Sequence, residues 1–155
     1  YQGAVKELGL NKTFTSYEIP IEWRKEVIKS IFDYVKKDVK TRIEEPFGEK
    51  VRWPWETIDE GGDCDCKSVL LASMLTRFGF EVRIAIIVPK LIDGHAFVSV
   101  RLEESTSQEE TWWNLDPSYY KCNVRQISPK YRQFRRSARS INLTWVAHKI
   151  DLFSY

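Results

Sequence analysis

Gly61-Gly62-Asp63-Cys64-Asp65-Cys66-Lys67-Ser68 puts a cysteine where a glycine-rich turn meets an apolar, helix-patterned run, Val69 to Phe78. A helix start exposes unpaired backbone N–H groups and the positive end of the macrodipole. Both favour thiolate over thiol, and the thiolate is the nucleophile. Cys64 therefore stands at a reactive position before any partner is considered. Asp63 is placed to cap the helix, which runs from about Cys64 to Phe78 and is ended by Gly79. This helix is apolar nearly all round, so it should be central and buried.

Downstream, three strand patterns follow. Phe80 to Val88 is a continuous β-branched run, the mark of a strand covered on both faces. His95 to Leu102 alternates, with His95, Phe97, Ser99 and Arg101 on one side and Ala96, Val98, Val100 and Leu102 on the other. A polar turn, Glu103 to Glu110, leads to a strand at Thr111 to Leu115, which Asp116-Pro117-Ser118 stops. Ile141 to Ala147 and Lys149 to Phe153 supply one or two more strand candidates.

Upstream, residues 1 to 19 read as irregular. Pro20 opens a helix whose apolar residues, Trp23, Val27, Ile28, Ile31, Phe32, Val35 and Val39, recur at spacings of three and four. Residues 41 to 62 read as a long connection punctuated by Pro46, Gly48, Pro54 and the glycine pair. Connections of that length are often functional. The order helix, loop, helix, antiparallel strands predicts an α+β fold. At 155 residues the whole chain, 1–155, reads as one domain large enough for a proper core.

The downstream polar residues offer Cys64 its partners. His95 begins a strand, and Asp116 ends one. Cys, His and Asp in that order form a candidate nucleophile, base and orienter. Each also has an ordinary reading: a small buried hydrophobe, a structural histidine and a turn aspartate. The polar glycine turn around Cys64 argues for accessibility. His148, the other histidine, reads as structural, while Asp93 and Asp65 are alternative orienters. Asp63 and Asp65 oppose thiolate formation by their charge, so an imidazolium in contact is needed to tip the balance back.

A zinc site of Cys64, Cys66, His95 and Cys122 is a weaker reading, because structural sites usually pair ligands at wider spacing than C-x-C. No metal and no cofactor is expected. Cys66 is expected beside the site, with Asp63, as a supporting residue.

The charge balance is +2, too small by itself to imply a polyanion partner. It is uneven, however: no acidic residue lies between Asp116 and Asp151, an interval holding Lys121, Arg125, Lys130, Arg132, Arg135, Arg136, Arg139 and Lys149. The plain reading is a solvated basic face, and the functional one is a patch over 121–139 for an acidic partner. Aromatic residues interleave it, but no nucleic-acid motif accompanies them, so nucleic acid is disfavoured. Three cysteines are too few for a disulfide framework, which points to a reducing, cytoplasmic compartment. No signal peptide or membrane-spanning run is visible, so a membrane would be reached only through segments outside this chain. The first residue is Tyr, which suggests a piece of a longer protein.

Three stretches taken together resemble the transglutaminase-like superfamily of papain-like folds, in its archaeal and bacterial form. They are Gly62-Asp63-Cys64-Asp65 with its helix, His95-Ala96-Phe97-Val98-Ser99-Val100, and Trp113-Asn114-Leu115-Asp116-Pro117-Ser118. The resemblance covers about residues 50 to 120. It implies a papain-like core, with the cysteine helix packed on an antiparallel sheet, and a catalytic triad of Cys64, His95 and Asp116. It implies thiol-dependent acyl transfer on amide bonds of a peptide or protein substrate, as a cysteine peptidase or amidase. Trp53 or Trp55 becomes an oxyanion candidate, since an upstream tryptophan serves so in animal transglutaminases. Cys66 departs from the family, which usually has Asp or Glu there. A cross-linking transglutaminase, and a non-catalytic protein- or nucleic-acid-binding module using 121–139, are the alternatives.

Overall fold

The computed structural model of the chain describes residues 18–42, 51–90, 92–103 and 112–142. The strand candidate at Lys149 to Phe153, the irregular stretch up to Tyr17, most of the polar turn after Glu103 and His148 lie outside them.

Helix α1, Ile21–Lys37, starts directly after Pro20 and carries Lys36 and Lys37 in its last turn, where cations suit the macrodipole. Its buried stripe is Ile28, Ile31, Phe32 and Val35. Trp23, expected on that stripe, is 69% exposed. At ~100° per residue it lies about 140° round the helix from Ile28, so it faces away from the core.

The long connection after α1 is more ordered than its punctuation suggests. It contains a short helix, α2, Pro54–Glu60. Proline takes the first helical position, and Glu56 Oε2 accepts the Trp53 N–H at 2.9 Å. Both are ordinary start signals. Seven residues are too few for an apolar period to show in the sequence.

Gly61 and Gly62 then bind the chain back to the segment after α1. Gly62 N–H donates to Lys40 O at 3.0 Å, and Arg42 N–H to Gly62 O at 3.1 Å. Gly61 has φ +82°, and a Cβ there would stand 2.6 Å from Lys40 O. At Gly62 a Cβ would stand 2.3 Å from Cys66 Cβ. The turn needs glycine at one position for conformation and at the next for space.

Helix α3, Cys64–Arg77, follows at once, with Asp63 as its N-cap. Gly79, at φ +81°, ends it as expected. Strands β1 (Val82–Ile87), β2 (His95–Arg101), β3 (Trp112–Leu115) and β4 (Arg139–Asn142) form one antiparallel sheet in the order β3-β2-β1-β4. β4 overlaps only the beginning of the strand candidate at Ile141 to Ala147, the rest of which lies outside the described residues.

The fold is thus layered: α1 on α3, α3 on the sheet, and a 3₁₀ segment, Pro129–Ser137, on the sheet's other face. The main core joins Ile28, Phe32, Leu70, Leu71 and Leu75 to Val82, Val98 and Leu115. A smaller core, Ala85, Ile87, Phe97, Ile127 and Tyr131, fills the second face. Two cores explain why β1 reads as apolar on both sides: α3 covers one and the 3₁₀ segment the other. The fold class is α+β with an antiparallel sheet, as expected from the order of elements.

Candidate active site

Cys64 is the first residue of α3, His95 the first of β2, and Asp116 follows the last residue of β3. β2 and β3 pair with Val98 opposite Leu115, which puts the start of one beside the end of the other. Antiparallel register therefore turns a separation of 21 residues into contact: His95 Nε2 lies 2.7 Å from Asp116 Oδ2. Cys64 stands close enough to the His95 ring to influence its protonation. With Nε2 committed to Asp116, Nδ1 is the nitrogen left for the thiol.

Asp116 is fully buried, yet ionised, because its acceptor sites are filled. Oδ2 also accepts the Ser128 N–H at 2.8 Å, and Oδ1 accepts the Ser118 hydroxyl at 2.7 Å and its N–H at 3.3 Å. Burial pushes the pKa up, but the His95 contact and these donors outweigh it and hold the carboxyl below its usual range. Pro117-Ser118 is the local device for this: the chain turns and offers its own donors to the aspartate.

His95 is 6% exposed, and burial alone lowers its pKa. The hydrogen bonds and charges of Asp116 and Cys64 reverse that and bring it up to about 9. Near neutral pH the ring is imidazolium, the state that favours thiolate in its partner. On its other side, Tyr131 stacks on the ring, centroids 4.2 Å apart. The alternative orienters take no such place: Asp65 Oδ1 accepts the Cys66 N–H at 2.6 Å, and Asp93 is exposed.

The two cysteines of the opening turn have different surroundings. Cys64 is half-buried, whereas Cys66 is fully buried. Burial pushes the Cys66 thiol up to about 11, despite the Arg52 N–H that points to its sulfur at 3.4 Å. Cys66 packs against Gly62 and so belongs to the turn that presents Cys64. Cys122 is also buried, with its thiol raised to about 11, chiefly by burial.

Asp63 Oδ1 receives the Cys66 N–H at 3.5 Å, so its capping contact is long beside the one from Asp65. Burial raises the Asp63 pKa, and the neighbouring Asp65 raises it further. Asp63, Asp65 and Cys66 offer ligand atoms within 4.8 Å of one another. The Cys66 sulfur there is buried and protonated, which suits no hard cation. Among the described residues, the set Cys64, Cys66, His95 and Cys122 is not gathered as a metal site.

Trp53 and Trp55 stack on each other with centroids 5.1 Å apart, and both are about half exposed. They flank the entrance to α2, one short helix ahead of the cysteine turn.

A family model described as the transglutaminase-like superfamily matches residues 15–117. The chain belongs to that superfamily. No curated protein sequence matches it. Among solved structures, Legionella pneumophila LapG in calcium-bound form is similar at a TM-score of 0.54 and 16% identity, over 76% of this chain and 63% of that one. An EGTA-treated form of LapG gives 0.52 at 17% identity, over 76% and 61%. A third LapG structure gives 0.51 at 17% identity, over 81% and 66%. The chain spans under two thirds of the LapG chains, and at such identity the likeness is one of fold. The transglutaminase-like core accounts for the cysteine helix lying on an antiparallel sheet.

Sequence reasoning missed Tyr131 and Ser128, which join the site from beyond the matched region. No local pattern distinguishes either, since each is defined by what the 3₁₀ segment lies against. Lys67 is a further buried polar residue that no local pattern marks: it lies in α3 with its ammonium 3.0 Å from Thr41 Oγ1, and burial lowers its pKa.

Proposed function

We propose that this protein is a thiol-dependent acyl-transfer enzyme acting on amide bonds, a cysteine peptidase or amidase, with Cys64 as nucleophile, His95 as acid and base, and Asp116 as orienter. The observation that carries this reading is the buried His95–Asp116 hydrogen bond of 2.7 Å, with Cys64 near the ring at a helix start. Membership of the transglutaminase-like superfamily supports it.

In this mechanism the Cys64 thiolate attacks the amide carbonyl carbon, forming a C–S bond and an oxyanion. The first N–H groups of α3 are left without helical partners, and that of Cys64 is the nearest donor to the oxyanion. Trp53 or Trp55 is the second donor in this proposal, reached by an indole N–H on substrate binding. Collapse breaks the C–N bond while the His95 imidazolium protonates the departing amine, leaving a thioester. His95, now neutral, takes a proton from water, whose oxygen attacks the thioester and releases the carboxylic acid and the thiolate. Asp116 keeps Nε2 occupied and stabilises imidazolium without itself taking the proton.

The test is mass spectrometry of a peptide mixture incubated with the protein and a primary amine. Hydrolysed amides support a peptidase or amidase, whereas amine adducts move the assignment to a cross-linking transglutaminase. Iodoacetamide labelling read by mass spectrometry checks the nucleophile: Cys64 should be alkylated well before the buried Cys66 and Cys122. Loss of activity in Cys66→Ala with activity kept in Cys64→Ala would reverse the assignment. Absence of both products, with an unactivated Cys64, would leave a binding module that uses the basic segment 121–139.

A further inference from the structure

The sheet face turned away from α3 is only half covered. Near His95 the small core around Phe97 and Tyr131 closes it. Further along β2 the same face opens into a pocket of about 340 Å³ whose lining includes Arg83, Ser99, Trp112, Asn114, Arg135 and Arg136. A volume of this order suits a small ligand. The register explains the grouping: Arg83 pairs with Ser99, and Ser99 with Asn114, so the three form a row across β1, β2 and β3. The end of the 3₁₀ segment adds Arg135 and Arg136 beside that row.

The pocket holds its cations with neutral groups. In the amide orientation that satisfies both neighbours, Asn114 Nδ2 donates to Ser99 Oγ at 2.7 Å. Asn114 Oδ1 then accepts Nε and Nη2 of Arg135, at 3.1 and 3.2 Å. Ser99 keeps its hydroxyl hydrogen to offer. The Arg83 guanidinium carbon sits over the Trp112 ring, 3.8 Å from its centroid. Among the described residues, no carboxylate stands within 4.0 Å of Arg83, Arg135 or Arg136. Three guanidiniums, of which Arg83 and Arg135 are held by Trp112 and Asn114, thus line one concavity with no counter-charge among the described residues, an arrangement that raises the local potential for an anion.

We propose that this pocket binds a phosphate group, either the free ion or a phosphomonoester of a small molecule, at a site separate from the cysteine. A carboxylate brings one charge to three cations. A phosphomonoester brings about −1.5 to −2 and three acceptor oxygens, the geometry that guanidinium forks grip in pairs. Ser99 lies four residues along β2 from His95, roughly 13 Å at the strand rise of ~3.3 Å per residue, so the ligand does not occupy the cysteine site.

The experiment is a titration of the full chain, labelled with ¹⁵N, observing the indole signals of its 6 tryptophans, with Trp112→Phe assigning the one in the pocket. Phenyl phosphate and inorganic phosphate are added separately at constant ionic strength. Phenyl phosphate should move the Trp112 signal saturably, and the double change Arg135→Gln/Arg136→Gln should weaken that binding at least tenfold. Both side chains are exposed, and Arg83→Gln provides an independent second variant. Saturation by inorganic phosphate as well would identify the free ion as sufficient, and saturation by the ester alone would identify the organic phosphate. A Trp112 signal that does not saturate with either, a response unchanged in both arginine variants, or an equal response to a glutamate-rich peptide would overturn the proposal.

Discussion

Tyr131 lies flat on His95, with ring planes 6° from parallel and centroids 4.2 Å apart. The tyrosine comes from the 3₁₀ segment and is itself anchored by the small core, so it holds the imidazole from the side opposite the main core. Two constraints therefore define the ring: Asp116 fixes its Nε2 and Tyr131 fixes its plane.

Removal of that constraint should reduce turnover more than it reduces substrate affinity. Stacked aromatic pairs contribute roughly 0.5–1.5 kcal/mol, so Tyr131→Ala should lower kcat by at least a few-fold. Tyr131→Phe should restore it, because the ring and not the hydroxyl makes the contact. Steady-state kinetics of the two variants on one peptide substrate checks this, and equal losses in both would remove the stacking role.

Asp116→Asn should be far more damaging. An amide oxygen in the Oδ2 position can still accept from His95 and Ser128, but its NH2 group then faces the Ser118 N–H, and the charge that stabilises the imidazolium is gone. The loss of the orienting carboxylate in a related triad costs roughly 10⁴-fold in kcat, and a drop of about that order is expected here. The same pair sets a pH dependence. His95 stands at about 9 in the fold against an ordinary value of 6.5, so it binds its proton more tightly folded than unfolded. Its stabilising contribution is fully present below pH 6.5 and is lost as pH rises through about 9. Urea unfolding should show stability falling across that window in the native chain, with a much flatter profile in His95→Gln.

Gly62→Ala should destabilise the fold. Its new Cβ would stand 2.3 Å from Cys66 Cβ, and strain of this kind costs typically about 1–3 kcal/mol. The double variant Gly62→Ala/Cys66→Ala should not recover stability, since alanine keeps the offending Cβ. Recovery in chemical denaturation would mean that the sulfur, 3.3 Å away, is the true obstacle.

Lys67→Met should stabilise the protein, by roughly 1 kcal/mol, because it removes a buried ammonium that donates to the neutral Thr41 hydroxyl. The sign follows from burial, which lowers the Lys67 pKa: the charged form is penalised in the fold at every pH below that value. The gain should shrink in alkaline solution, as the native lysine sheds its proton. Thermal unfolding of both chains at neutral and alkaline pH measures it, and a lower Tm for the variant at neutral pH would show that the Thr41 contact outweighs the charge.

The sequence was most informative where structure is local. The caps of α3, its glycine stop and the alternation of β2 are written in neighbouring residues, and each matches the fold. Legibility failed in two ways. α2 carries a proline start and a Glu56 cap, but it is too short to show a period. Trp23 matches the apolar spacing of α1, yet three- and four-residue steps drift round a helix, and only packing against α3 decides which edge of the stripe is buried.

For the candidate site the division is similar. Sequence alone determined that a cysteine would stand at a helix start, a histidine at a strand start and an aspartate at a strand end, because helix caps and strand alternation are short-range properties. It left two cysteines with nearly equal claims. Tertiary structure separated them: α3 buries Cys66 against the Gly62 turn, where desolvation disfavours its thiolate, and leaves Cys64 half-exposed beside His95. It alone also brought Tyr131 and Ser128 to the site and Arg83, Arg135 and Arg136 to one pocket. Those meetings depend on how strands pair and which face a later segment covers, and such long-range choices follow from the burial of the whole chain rather than from any local run of residues.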